Sequence, residues 1–388
     1  MAIIDIDTHF EPGRAWLDEY PSLKDRLPEY STVTATVRAI AGDLIRFVPE
    51  DERPSDDTLL PPGIKAILGL EKSEGYGFEG SSMHTPADPI ARLAWMDEVG
   101  INITNVLCLE GAGYAKYLDD RDLAREAIGA CNDWLADQVS GNEDRLMPAA
   151  SIDLSDIDWA IAELTRMRAR GSRTFLISPL PAEGVPPNDP RFDRVWSAAV
   201  DLGMAAQVHV GAGCNAFDPG WCNTDDGTVL RQLGASQGSQ AAQLMLNAMV
   251  FGGVFQRHPD LTLILAEFGV HWFEGCVDHM EQRGPAQPES ALYLGAYEFD
   301  LTPAEFVRRN VRITPLPRAH QSPLRVMERY PECIIFSSDY AHNESNPAPT
   351  AHYDVLMADT APSVKASFMG GNIAACFDRM GDPLPVAA

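Results

Sequence analysis

Eight short apolar runs recur along this chain, each followed by a segment long enough for a helix, and that alternation constrains the fold more than any other feature. The runs cover residues 2–7, 103–108, 146–152, 174–178, 206–210, 261–266, 311–314 and 333–337. Amphipathic stretches lie between and after them at 89–99, 119–139, 157–170, 189–202, 239–256, 271–283, 303–309 and 323–329. Apolar runs of strand length alternating with helical patterns imply βαβ units and a parallel sheet. Eight such units fit a closed (β/α)8 barrel better than an open sheet. A chain of 388 residues with 45% apolar side chains has the length and core for one such domain.

One stretch breaks the rhythm. Residues 11–85, between the first run and its helix, are rich in Pro, Asp, Glu and Gly. Loops this long are functional or disordered. This one leaves the C-terminal end of a barrel strand, the face where barrel enzymes carry their active sites. It is expected to be a lid or pocket wall.

The polar residues that end the runs carry the chemistry. The first run closes Asp5-Ile6-Asp7-Thr8-His9. Residues i and i+2 of a strand share a face, so Asp7 and His9 are expected to project together with Asp5 behind them. The fifth run ends at His209, the sixth at Glu267 with His271 just beyond, and the eighth at Asp339 with His342 and Glu344 close by. In a barrel these ends converge on one axis. Several carboxylates buried together are costly without a cation, because like charges repel and each loses hydration. A divalent metal of borderline hardness resolves that cost, so a metal site is expected where these ends meet. Glu110 and Asp153 follow the second and third runs and are candidates to face the pocket. Arg92, Arg173 and Arg318 are candidates to bind a substrate carboxylate or phosphate. His258 and His279 read as helix residues away from the site.

Composition excludes some partners. A formal net charge of −26 predicts a surface that repels nucleic acid and anionic membrane. There is no run of about 18 apolar residues that would span a bilayer. Seven scattered cysteines without a C-x-x-C pair suggest reduced thiols and a cytoplasmic protein.

The order Asp7-x-His9, His209, Glu267, Asp339 resembles the amidohydrolase superfamily. It is most similar to the amidohydrolase-related branch that includes aminocarboxymuconate-semialdehyde and resorcylate-type decarboxylases. Residues 89–101 look like that branch's first helix, and Ser338-Asp339-Tyr340-Ala341-His342 resembles its S-D-Y-P-H signature. The resemblance implies a distorted, metal-bearing (β/α)8 barrel. It matches Asp7 and His9 to the metal pair of the first strand, His209 to the metal histidine of the fifth, and Asp339 to the aspartate that handles the proton of a nucleophilic water. Two departures stand out. Asp7 replaces the usual His or Glu, and Glu267 stands where the decarboxylases carry a histidine. The ligand set that the resemblance implies is therefore Asp7, His9, His209, Glu267 and Asp339. The expected activity is hydrolysis or decarboxylation of a small, ring-containing substrate through metal-activated water. Asp339, Glu267, His271 and His342 are its expected catalytic groups, and one or two Zn, Mn or Fe ions its cofactor. The alternative is a di-iron oxygenase on the same barrel, since three carboxylates and two imidazoles are also the ligand types of such sites. A non-catalytic binding protein is a third expectation. A homodimer is suggested only by the habit of the family.

Overall fold

The structure is a computed structural model, and it describes residues 2–27, 87–118, 120–210, 236–283, 297–316, 322–342 and 345–385. Most of the expected insertion, residues 28–85, lies outside the described residues, as do Arg318 and Glu344.

The fold is a distorted (β/α)8 barrel. Its parallel strands are β1 (Ile4–His9), β2 (Ile103–Leu107), β3 (Leu146–Pro148), β4 (Ala150–Ser151), β5 (Thr174–Leu176), β6 (Ala205–His209), β7 (Leu263–Ala266) and β8 (Val311–Ile313). Every residue of these strands is buried. Apolar runs rather than clean alternation follow from that, because helices cover the outer face while side chains fill the inner one. The helices Pro89–Val99, Arg121–Val139, Ile157–Arg168, Asp193–Asp201, Gln240–Phe251, Phe273–Arg283, Pro303–Asn310 and Leu324–Arg329 supply the outer layer. Asp88, Asp120, Asp156 and Thr302 cap four of them by accepting from first-turn amides.

Regular pairing is broken in two places, giving sheets β1-β2-β3 and β4-β5-β6-β7-β8. The third expected strand is thus split at Ala149. The eighth, at 333–337, is held by isolated bridges rather than a ladder, Ile313 to Ile334 and Thr8 to Tyr340. Hydrogen bonds carry the chain past both breaks. Ala149 N donates to Val106 O (2.9 Å), and Ile152 N to Leu176 O (3.1 Å). The segment 333–340 accepts from Ile313 N through Cys333 O (2.8 Å) and from His9 N through Tyr340 O (2.8 Å).

The register of β1 against β2 shifts between Asp5 and Thr8. Such a bulge re-aims side chains and frees backbone groups. Here the Ile6 carbonyl accepts from Asn105 Nδ2 (3.2 Å) and Gln207 Nε2 (3.4 Å), which come from β2 and β6. Strands that are not neighbours meet only across the barrel interior, so this polar layer fills the barrel beneath the strand ends. At the opposite end, Ile373, Phe377 and Leu384 pack on Ile4, Ile6, Ile103 and Ile335 and plug the barrel.

Of the expected insertion, residues 11–27 are described. Trp16, Leu17, Leu23 and Leu27 are buried in the main core, where their apolar surface drives them.

Candidate metal centre

Six titratable side chains converge at the C-terminal ends of the strands. β1 supplies Asp7 and His9, both fully buried, and β6 supplies His209, also fully buried. Glu267 follows β7, while Asp339 and His342 follow the closing segment. His9 Nε2 lies 3.1 Å from Asp7 Oδ1 and 3.2 Å from Asp339 Oδ1. His209 Nε2 lies 3.2 Å from both Asp7 Oδ1 and Glu267 Oε2. His342 Nδ1 reaches Asp339 Oδ1 at 2.8 Å, and its ring stacks on His9 with centroids 3.9 Å apart.

Two of the carboxylates sit where the backbone is unusual. Glu267 (φ 60°) and Asp339 (φ 56°) both adopt the left-handed region without being glycine. Such residues cost about 1–3 kcal/mol and persist only where their surroundings fix them. Glu267 N donates to Thr314 Oγ1 (2.8 Å) and Asp339 N to Asp7 O (2.9 Å). The turn at each position aims its carboxylate back over the barrel.

Behind the cluster lies a supporting layer. Glu11 faces His9 Nδ1 at 3.2 Å and accepts from Leu109 N at 2.8 Å. That leaves His9 Nε2 directed at Asp7 and Asp339. Asp5 accepts from Ser338 N (3.0 Å) and from the Ser338 hydroxyl, latching β1 to the closing segment.

The electrostatics describe a site short of positive charge. Burial pushes the Asp5 carboxyl up to about 7 and raises that of Glu11 well above its usual range. Burial alone would raise Asp7 too, but the adjacent imidazoles of His209 and His9 outweigh it and hold Asp7 well below the usual carboxylate range. Burial opposes a charge on His209, yet Asp7 and Glu267 push it up to about 9. His9 goes the other way, lowered by burial and by the nearby His342. The carboxylates thus draw a proton onto His209.

Two overlapping donor groups have the dimensions of a cation site. In Asp7, His9, His209 and Glu267, and again in His9, Glu267, Asp339 and His342, one donor atom per residue lies within 4.8 Å of all the others. Asp7 Oδ2 is buried with no hydrogen-bond partner among the described residues, an acceptor that costs free energy until something positive meets it. Imidazole and carboxylate donors together suit Zn, Mn or Fe. The residues present fit a divalent metal.

The structure therefore brings together Asp7, His9, His209, Glu267, Asp339 and His342. It does not bring His271 to them. Gly269 turns the chain at φ 65°, Val270 takes the buried position, and His271 is left exposed ahead of the helix Phe273–Arg283. Glu110 and Asp153 have local partners instead, in Trp16 Nε1 (3.2 Å) and in Ser155 N (2.9 Å). Arg173 pairs with Asp382 at the other end of the chain. His258 pairs with Asp193, and His279 is exposed. Sequence reasoning missed Glu11 in its supporting role, although Asp5, Asp7, His9 and Glu11 recur at every second position. It was absorbed into the insertion because Pro12 and Gly13 follow it directly and end the strand pattern.

Comparison with known proteins agrees with this architecture. Residues 4–379 match the Amidohydrolase family model. The chain belongs to the amidohydrolase family. Its fold is similar to an amidohydrolase from Mycobacterium avium subsp. paratuberculosis (TM-score 0.68, 20% identity, covering 97% of this chain and 99% of that one). It is also similar to 5-carboxyvanillate decarboxylase from Sphingomonas paucimobilis (0.64, 20%, 97% and 99%). A dihydroxybenzoic acid decarboxylase from Polaromonas, bound to manganese and the inhibitor 2-nitroresorcinol, matches with 0.61, 17%, and 97% of each chain.

Proposed function

We propose that this protein is a metal-dependent decarboxylase of a small ring-containing carboxylic acid. The observation that carries the reading is the position of Asp339, between His9 of the cation-binding group and the His342 imidazole. Asp7, His9, His209 and Glu267 would hold the cation, with Asp339 adjacent. A divalent ion there supplies Lewis-acid polarisation of a substrate oxygen. Asp339 then delivers the proton. Loss of CO2 from R–COO⁻ leaves an electron pair on the ring carbon, and a proton transferred from the Asp339 carboxyl completes R–H. His342, hydrogen-bonded to Asp339, returns the proton to it from solvent. His9 and His342 stack as a wall beside that carboxyl.

The full-length likeness to aromatic-acid decarboxylases supports decarboxylation over hydrolysis. The test is incubation of the manganese-loaded enzyme with a panel of hydroxylated benzoates in D2O. The reading requires CO2 release and one deuterium at the vacated ring carbon. Hydrolysis of an ester or amide panel without CO2 release would overturn it.

A second reading rests on one observation, that the two donor groups share His9 and Glu267. Such a set can hold two cations with a carboxylate between them, which a di-iron oxygenase needs. That reading predicts about two irons per chain and turnover that stops without oxygen. The decarboxylase reading predicts undiminished turnover under nitrogen.

A further inference from the structure

Among the described residues, Arg92 is a buried cation that meets no carboxylate. It lies on the helix Pro89–Val99 and is 4% exposed. Its Nη2 donates to the His9 carbonyl at 2.7 Å, while Nη1 is buried with no hydrogen-bond partner among the described residues. Burial pushes its guanidinium down to about 10. The substrate-anion role open to it from sequence does not match a side chain sealed beneath His9.

Its other contacts are aromatic. The guanidinium carbon sits 4.8 Å from the centre of the Phe10 ring and 4.9 Å from that of Tyr340. Trp95, on the same helix, stacks on Tyr340 at 3.7 Å and 11°, and donates its indole N–H to Pro347 O at 3.0 Å. Phe10 follows His9, and Tyr340 follows Asp339. All these contacts therefore converge on the two strand ends whose donor atoms, His9 Nε2 and Asp339 Oδ1, stand 3.2 Å apart. The same ends are tied by the bonds from His9 N to Tyr340 O and from Asp339 N to Asp7 O.

Burying a cation with no carboxylate in contact among the described residues costs free energy that ring faces and one carbonyl offset only in part. An apolar side chain of similar volume would serve a purely structural packing role at least as well. A flat guanidinium, however, can stack on a ring and hold a carbonyl at once, which neither Lys nor Met can do.

We infer that Arg92 is a positioning residue that fixes the spacing between the His9 and Asp339 donors, and with it the affinity of the centre for a divalent cation. This rests on the reading of the cluster as a metal centre. The test uses the full chain stripped by chelator and titrated with Mn(II), for wild type, Arg92→Met, Arg92→Lys and Trp95→Leu. Free Mn(II) is followed by electron paramagnetic resonance, and folding by thermal melting of the stripped protein.

Arg92→Met is expected to melt cooperatively, bind Mn(II) at least about tenfold more weakly, and give an altered Mn(II) spectrum, as loss of ligand-orienting partners does elsewhere. Arg92→Lys and Trp95→Leu should each lose less, since each keeps one of the two kinds of contact. Mn(II) affinity within twofold of wild type and an unchanged spectrum in Arg92→Met would overturn the inference. So would wild-type binding by Arg92→Lys and Trp95→Leu if Arg92→Met does not fold. Failure of wild type itself to bind Mn(II) would instead sink the metal reading underneath.

Discussion

Glu11 shows how one residue behind the donors can govern the site. It holds His9 Nδ1, and so keeps Nε2 facing Asp7 and Asp339. Partners of this kind are typically worth 10–100-fold in metal affinity. Glu11→Ala is therefore expected to weaken Mn(II) binding by about 10–100-fold, measured by competition with a chelating dye, while leaving the fold intact. His209 carries a second prediction. Its Nδ1 donates to Val210 O (2.6 Å), so only Nε2 can face a cation. With its acidity shifted to about 9, that nitrogen is protonated at neutral pH in the metal-free chain. A cation must expel this proton, so binding tightens as pH rises and gains up to about tenfold per unit until pH passes 9. Calorimetry at pH 7.5 in buffers of different ionisation heat should find about one proton released per chain. No proton release would mean His209 is not a ligand.

At the scale of elements, the turns after β7 and the closing segment set the aim of two carboxylates. Glu267 is left-handed and its amide is satisfied by the Thr314 hydroxyl just past β8. Thr314→Val keeps the shape and removes the acceptor. It should cost about 1–3 kcal/mol in denaturant unfolding, the range for orphaning a buried amide. A change under about 0.3 kcal/mol would show that the turn holds itself. Most elements were legible in the sequence, because apolar runs bounded by polar strand ends announce buried parallel strands. Two things were not. The split at Ala149 and the irregular segment 333–340 depend on pairing across the barrel, which no local pattern encodes. The helix Leu109–Tyr117 carries little amphipathic signal, with Gly111 and Gly113 inside it. At the site, the donors at strand ends were legible because carboxylates and imidazoles there have few other reasons to be buried. His271, near Glu267 in sequence, is exposed beyond the Gly269 turn.

On the scale of the whole molecule, the barrel gathers donors from β1, β6, β7 and the closing segment, elements more than 300 residues apart in the chain. Packed strands and the plugged lower end hold these ends in place, and a bound cation would supply the charge that the cluster lacks. Elemental analysis of purified wild type, Asp7→Ala and His209→Ala tests this most directly. The account predicts at least one Zn, Mn or Fe ion per wild-type chain and little in either variant, with all three proteins folded. Folded wild type without stoichiometric metal after reconstitution with each ion, or variants that retain it in full, would contradict the account.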